Sequence, residues 1–258
     1  MIEFDEEFRH VVFRQTFGVE MRQQIRRDQR RPKRRSSVHR SSRKPTGTDV
    51  MTENAATETI ADAIEADLIY AVDTGEKLVN QTMPAGDMSR VLTGTYEHHR
   101  MRIRNGRPDR EKFVLDLNGF EFVDHPTAMT DFFDADELKT VYYPEIVKLV
   151  AERSGASRVE IFDHTLRSGD GQTRQEKQVR EPVKSAHNDY TVNSGPRRVR
   201  ELFPDEADEL LKKRFAIIQV WRAIRNPIQA DPLTICDSRS VATADFLTAE
   251  RRYSHRVG

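Results

Sequence analysis

The sequence predicts an α+β chain, a β-sandwich or jelly roll of short strands flanked by helices. Three observations predict it. Period-2 apolar runs recur, as at Phe113, Leu115 and Leu117 and again at Phe120 and Phe122. A helical stretch with start and stop signals occupies residues 134–155. A second helix signal runs directly into the strongly apolar segment 215–224. Alternation buries every second residue of a strand, whereas spacings of three and four place residues along one helical stripe.

Residues 1–57 read as a basic, disordered extension. Within them Arg22, Arg26, Arg27, Arg30, Arg31, Lys33, Arg34, Arg35, Arg40, Arg43 and Lys44 are mixed with Ser and Pro and almost no apolar residues. Such a segment buries too little surface to offset its chain entropy. Residues 1–50 carry 13 Lys/Arg against 7 Asp/Glu. A nucleic-acid arm is the functional alternative to a solvated tail, and the tail is the better reading. The early acids Glu3, Asp5, Glu6, Glu7 and Glu20 argue against a transit peptide. Met51 opens an ordinary-looking sequence, so an upstream extension of the reading frame is a third reading of residues 1–50, and the favoured one.

Residues 58–258 read as the folded domain. Asn118-Gly119 between the two alternating runs predicts a hairpin with a two-residue turn. Asp134, with Glu137 three residues later, marks a helix start, and Pro144 marks the first residue of a second helix. That second helix buries Ile146, Val147, Leu149 and Val150 and ends at Gly155. Residues 158–165 read as a strand, 168–182 as a polar loop, and 184–189 as a short strand. Pro204 opens a helix with acids at its start and Lys212, Lys213 and Arg214 at its end, which suits the helix dipole. Strands follow at 215–224 and 233–236.

Composition narrows the function. Over the whole chain 42 basic residues balance 42 acidic ones, so a globally nucleic-acid-like charge is absent. One cysteine, Cys236, excludes an intramolecular disulfide and a Cys-rich zinc site, and suits the cytoplasm. It reads as a small core residue. No apolar run approaches the roughly 18–20 residues of a membrane span. There is neither a Gly-rich phosphate loop nor a G-x-S-x-G elbow.

The chemistry concentrates at His187-Asn188-Asp189. Residues i and i+2 of a strand share a face, so imidazole and carboxylate can reach one ion. With a distant second His they would make the facial triad of non-haem Fe(II) oxygenases. Taken alone the spacing is near chance in a chain with 8 histidines; a solvent-facing pair is the bland alternative. His164 lies beside Asp163 on the opposite strand face and reads more readily as a hydrogen-bonded core residue than as a ligand. Arg222, after Trp221, is a two-pronged donor of the kind a 2-oxoacid carboxylate needs, or a surface Arg stacked on a ring. Arg197-Arg198 carries the same ambiguity, and His98-His99 reads as solvent-facing.

The run AHNDYTVNSGPRRVRELFPDEADELLKKRFAIIQVWRAIRNPIQADPLTICDSRSV (residues 186–241) resembles the asaB-type hydroxylase/desaturase family, the CmcJ/NvfI group. GEKLV (75–79), LDLNGFEFVDHPTAMTDFFD (115–134), VYYPEIVKLV (141–150) and FDHTLR (162–167) carry it too. The resemblance spans residues 65–258 and implies a double-stranded β-helix with flanking helices. It further implies an Fe(II)- and 2-oxoglutarate-dependent enzyme acting on a small natural-product-type molecule. His187 and Asp189 would be metal ligands, and His164, Arg167, Trp221 and Arg222 would stand in motifs near the cosubstrate. One branch, named for cephamycin methoxylation, carries a methyltransferase label, but no Gly-rich strand–turn–helix for S-adenosylmethionine is present. The family's last ligand follows an aromatic run in a His-Thr segment. Here His255, in an Arg-rich stretch, is the only later His. The expectation is a member with incomplete C-terminal strands and a reduced ligand set, and a non-catalytic binding partner is the alternative.

Overall fold

In the computed structural model, the described residues are 10–17, 62–82, 90–225, 228 and 231–252, with 10–17, 82 and 90 described by backbone only. The chain divides into two compact units, one of Met1–Phe17 with Ala61–Gly258 and one of Gly18–Ile60. The second unit, the cluster Arg22–Lys44 and His255 lie outside the described residues.

Helices and sheets are both present, as an α+β chain requires, and the described strands form three small sheets. Strand β1 (His10–Phe17) runs between β6 (Phe120–Val123) and β7 (Phe215–Trp221), antiparallel to both. Strand β2 (Ala63–Val72) pairs with β5 (Thr95–Arg104) as a two-stranded ribbon. Strand β3 (Leu78–Thr82) lies between β4 (Arg90–Thr93) and the parallel β8 (Ala249–Arg252). The reading of residues 1–57 as wholly disordered is corrected at 10–17. There the apolar run HVVF finds two strands with unused ladder groups.

The central packing unit is the β6–β1–β7 sheet against one long helical stretch. Asp134 caps it, accepting the N–H groups of Asp136 and Glu137 through one carboxylate oxygen at 2.8 and 2.9 Å. The Glu137 carboxylate turns to the N–H groups of Thr130 and Asp131 instead, which lowers its pKa. Pro144 does not begin a separate helix. Helix α2 (Ala135–Glu137) passes through a π turn (Leu138–Tyr142) into α3 (Tyr143–Ser154). Pro144 has no N–H for a normal i→i−4 bond, and the wider turn carries the chain past that gap. Gly155 ends α3 at φ 68°, a left-handed conformation that glycine adopts without a Cβ clash.

Ile146, Leu149 and Val150 of α3 pack with Leu115 into a buried cluster, against which Val123, Ile218 and Val220 of the sheet lie. Val159 and Ile161 complete it. On the same face Glu121, 6% exposed, receives a two-pronged grip from Arg153: Nε donates at 2.8 Å and a terminal nitrogen at 2.6 Å.

The expected hairpin at 113–122 is a helical turn instead, α1 (Leu115–Asn118), closed by Gly119 at φ 80°. Asn118, 2% exposed, accepts the Val114 N–H through Oδ1 and donates to Asp237 from Nδ2. The first bond closes the turn locally and the second ties it to the distant Asp237, and β6 pairs with β1 rather than with its neighbour in sequence. The strands expected at 158–165 and 233–236 are absent; both segments run without a ladder partner, and Cys236 is exposed rather than core. The expected polar loop 168–182 contains α4 (Gly171–Lys177), capped by Asp170. The helix expected from Pro204 shrinks to α6 (Ala207–Leu210), and the longer α5 (Ser194–Leu202) precedes it.

Candidate functional site

Along β7, Ile218 and Val220 face the α3 core, so alternation turns Ile217, Gln219 and Trp221 to the other face. The segment carrying His187 and Asp189 meets Gln219 there. This segment is not a full strand. Ser185 makes a single bridge to Ile69 of β2, and the Ala186 N–H donates to the Ile69 carbonyl at 2.8 Å.

The two side chains do face each other. His187 Nε2 lies 3.5 Å from Asp189 Oδ1, with the side chains 47% and 39% exposed. His187 Nδ1 lies 2.9 Å from the Ser185 carbonyl. A carbonyl only accepts, so Nδ1 carries a proton, and Nε2 is the ring nitrogen turned toward the carboxylate. The other carboxylate oxygen, Oδ2, accepts a short hydrogen bond from Gln219 Nε2. A lone pair and a carboxylate oxygen facing each other repel unless a proton or a cation lies between them. Their separation is less than twice a metal–ligand bond of about 2.1 Å, so one ion can touch both. The donor set, one imidazole nitrogen and one carboxylate oxygen, suits a borderline divalent metal. Among the described residues no group of three His, Cys, Asp or Glu converges.

The remaining sequence-predicted residues sit on neighbouring elements. Trp221 ends β7 on the Gln219 face. Arg222 follows it, its guanidinium 5.8 Å from the Phe132 ring centroid and in contact with Tyr142. Burial pushes the Tyr142 phenol up to about 12, with Arg222 pulling the other way. His164 is exposed, with Nδ1 2.5 Å from the Tyr143 hydroxyl, so its reading as a core residue is corrected. Arg167 donates to the Glu181 carbonyl at 2.8 Å, which ties the ends of the α4 loop together. Arg198 reaches Tyr190 Oη at 3.3 Å and Glu201 at 2.7 Å, beneath Phe162. His98 and His99 are exposed on β5, as read from the sequence.

Sequence reasoning missed Gln219, Tyr142 and Tyr143. Gln219 had a signal, being a lone polar residue inside FAIIQVW. The tyrosines had none beyond their adjacency, because only the π turn fixes their directions.

Sequence comparison defines the class, an oxidoreductase/YMDC permease-like domain. A family model, YDMC, described as oxidoreductase/YMDC permease-like domain, matches residues 68–258. The chain belongs to that family, and its resemblance to the hydroxylase/desaturase group is borne out by the relatives. An oxidoreductase of Emericella nidulans is 36% identical over 178 residues, covering 66% of this chain and 60% of that protein. A hydroxylase/desaturase of Cercospora beticola is 34% identical, covering 58% and 50%. An Fe(II)/2-oxoglutarate-dependent dioxygenase of Aspergillus novofumigatus is 29% identical, covering 57% and 54%. The chain thus spans 50–60% of the length of these relatives. A solved iron and α-ketoglutarate-dependent endoperoxidase matches 58% of the chain at 21% identity with a TM-score of 0.47.

Proposed function

We propose that the chain is an Fe(II)- and 2-oxoglutarate-dependent oxygenase domain, a hydroxylase or desaturase for a small natural-product-type molecule. The observation that carries the reading is the facing pair His187 Nε2 and Asp189 Oδ1, each with its outer atom engaged by a protein group. Ligating histidines ordinarily donate their second N–H to a carbonyl or carboxylate, as His187 does to Ser185. Relatives named as dioxygenases supply the iron and 2-oxoglutarate assignment.

In this reading His187 and Asp189 hold the metal. Bound there with its cosubstrate, iron supplies oxidative C–H chemistry. The chain's own residues bind, orient and exclude water. By resemblance Arg222 would offer a guanidinium fork for the cosubstrate carboxylate; its contact with Tyr142 lies on the α3 side of β7, opposite the Gln219 face. Burial keeps Tyr142 a neutral donor at any physiological pH, so it cannot cancel the Arg222 charge. Trp221, two residues along β7 from Gln219 and on the same face, offers an apolar wall. His164 and Arg167 have support roles through Tyr143 and Glu181.

The three sheets fit the reading as parts of a double-stranded β-helix (jelly-roll) core, with residues 58–258 and strand β1 as the domain. Among the described residues no helix is long and apolar enough to cross a membrane, in keeping with a cytoplasmic enzyme. The two-ligand donor set favours a second reading, a binding module that keeps the fold without turnover. Succinate release from 2-oxoglutarate, with Fe(II) and oxygen supplied, separates the two. The oxygenase reading expects release that His187→Ala abolishes; release unchanged in that variant contradicts the ligand assignment.

A further inference from the structure

We propose that Gln219 is a positioning residue for Asp189, its side-chain amide holding one carboxylate oxygen so that the other faces His187. The inference rests on His187 and Asp189 being the metal pair.

The two members of that pair start from unequal support. The His187 ring is oriented from its own segment, through Nδ1 to the Ser185 carbonyl. Asp189 lies three residues beyond the backbone bond of Ala186 to Ile69. A carboxylate on such a segment is free to rotate about its side-chain bonds unless another element fixes it. Gln219 provides that element. It stands on β7, whose backbone is locked by pairing with β1 along its length and whose Ile218 and Val220 are anchored in the α3 core. Gln219 is the one polar residue of Phe215–Trp221, and its Nε2 donates to Asp189 Oδ2. With Oδ2 engaged, Oδ1 is the oxygen left toward His187 Nε2.

An amide suits this task better than a cation would. Lys or Arg at position 219 would pair with Asp189 and compete with a metal for its charge, whereas an amide donates without titrating. The carboxylate keeps its full negative charge and a fixed direction. The consequence is that Asp189 engages a metal through Oδ1 alone.

The test is a Co(II) titration of the whole chain, because the visible bands of bound Co(II) report coordination geometry independently of activity. Wild type, His187→Ala, Gln219→Met and Gln219→Leu are compared, with circular dichroism as the folding control. The expected result is saturable binding by wild type and loss in His187→Ala. In both Gln219 variants affinity should fall about 10–100-fold with altered bands, at an unchanged unfolding midpoint. Wild-type affinity and bands in both Gln219 variants would overturn the positioning role while leaving the metal pair intact. Equal binding by wild type and His187→Ala, or none by either, would overturn the metal pair and this inference with it. If neither Gln219 variant reaches the wild-type fold, the residue is structural and the positioning role is overturned.

Discussion

The two faces of strand β7 differ in what they ask of the sequence. One face sets Ile218 and Val220 against Leu115, Ile146, Leu149 and Val150, all apolar and closely packed. The other sets Gln219, polar and exposed, against Asp189, between Trp221 and the buried Ile217. Burial of the first face drives folding at about 25 cal/mol per Å² of apolar surface. Half-exposed polar contacts such as those of the second contribute little to stability. The strand is thus anchored by Ile218 and Val220 behind and by Ile217 in front, which lets Gln219 present its amide at a set position.

Breaking the back face should cost most. Leu149, 3% exposed, truncated to Ala is expected to lose about 3–4 kcal/mol of unfolding free energy by cavity creation. Denaturant unfolding measures it. Arg153→Ala leaves the Glu121 carboxylate buried without its partner and should cost about 3 kcal/mol. Replacing both residues by apolar ones of similar size should recover much of that loss.

Smaller effects sharpen the contrast. Gly119→Ala forces a Cβ into φ 80° and should cost about 1–2 kcal/mol. Asp237 is held down to about 2, first by the Arg239 guanidinium, then by the Arg239 N–H and Asn118, against a desolvation penalty. A depressed carboxylate contributes stability above its unfolded pKa, near 4, that is lost as pH falls through its folded value near 2. Thermal midpoints recorded from pH 5 to pH 2 should fall across that window, and less steeply in Asp237→Asn. On the front face, His187→Ala should shift stability by less than about 0.5 kcal/mol.

The same contrast governs what could be read from the residues. Local signals were legible. Asp134 and Gly155 delimit the helical stretch, and FAIIQVW is a strand. The facing of His187 and Asp189 was legible too, although only one bridge of the expected strand exists. Long-range pairing was not. Strand β6 takes its partner from residues 10–13, far from its neighbour Asn118-Gly119. Residues 158–165 alternate like a strand, yet no ladder meets them. Gly195 and Pro196 look like loop residues, but Pro fits the first turn of a helix, where its missing N–H costs nothing, and α5 begins there.

The metal pair on the front face is the central claim, and anaerobic equilibrium dialysis against Fe(II) tests it most directly. The account predicts one iron per wild-type chain, lost in both His187→Ala and Asp189→Ala, with unfolding curves superimposable on wild type. Iron retained by either variant, or none taken up by wild type, would contradict it.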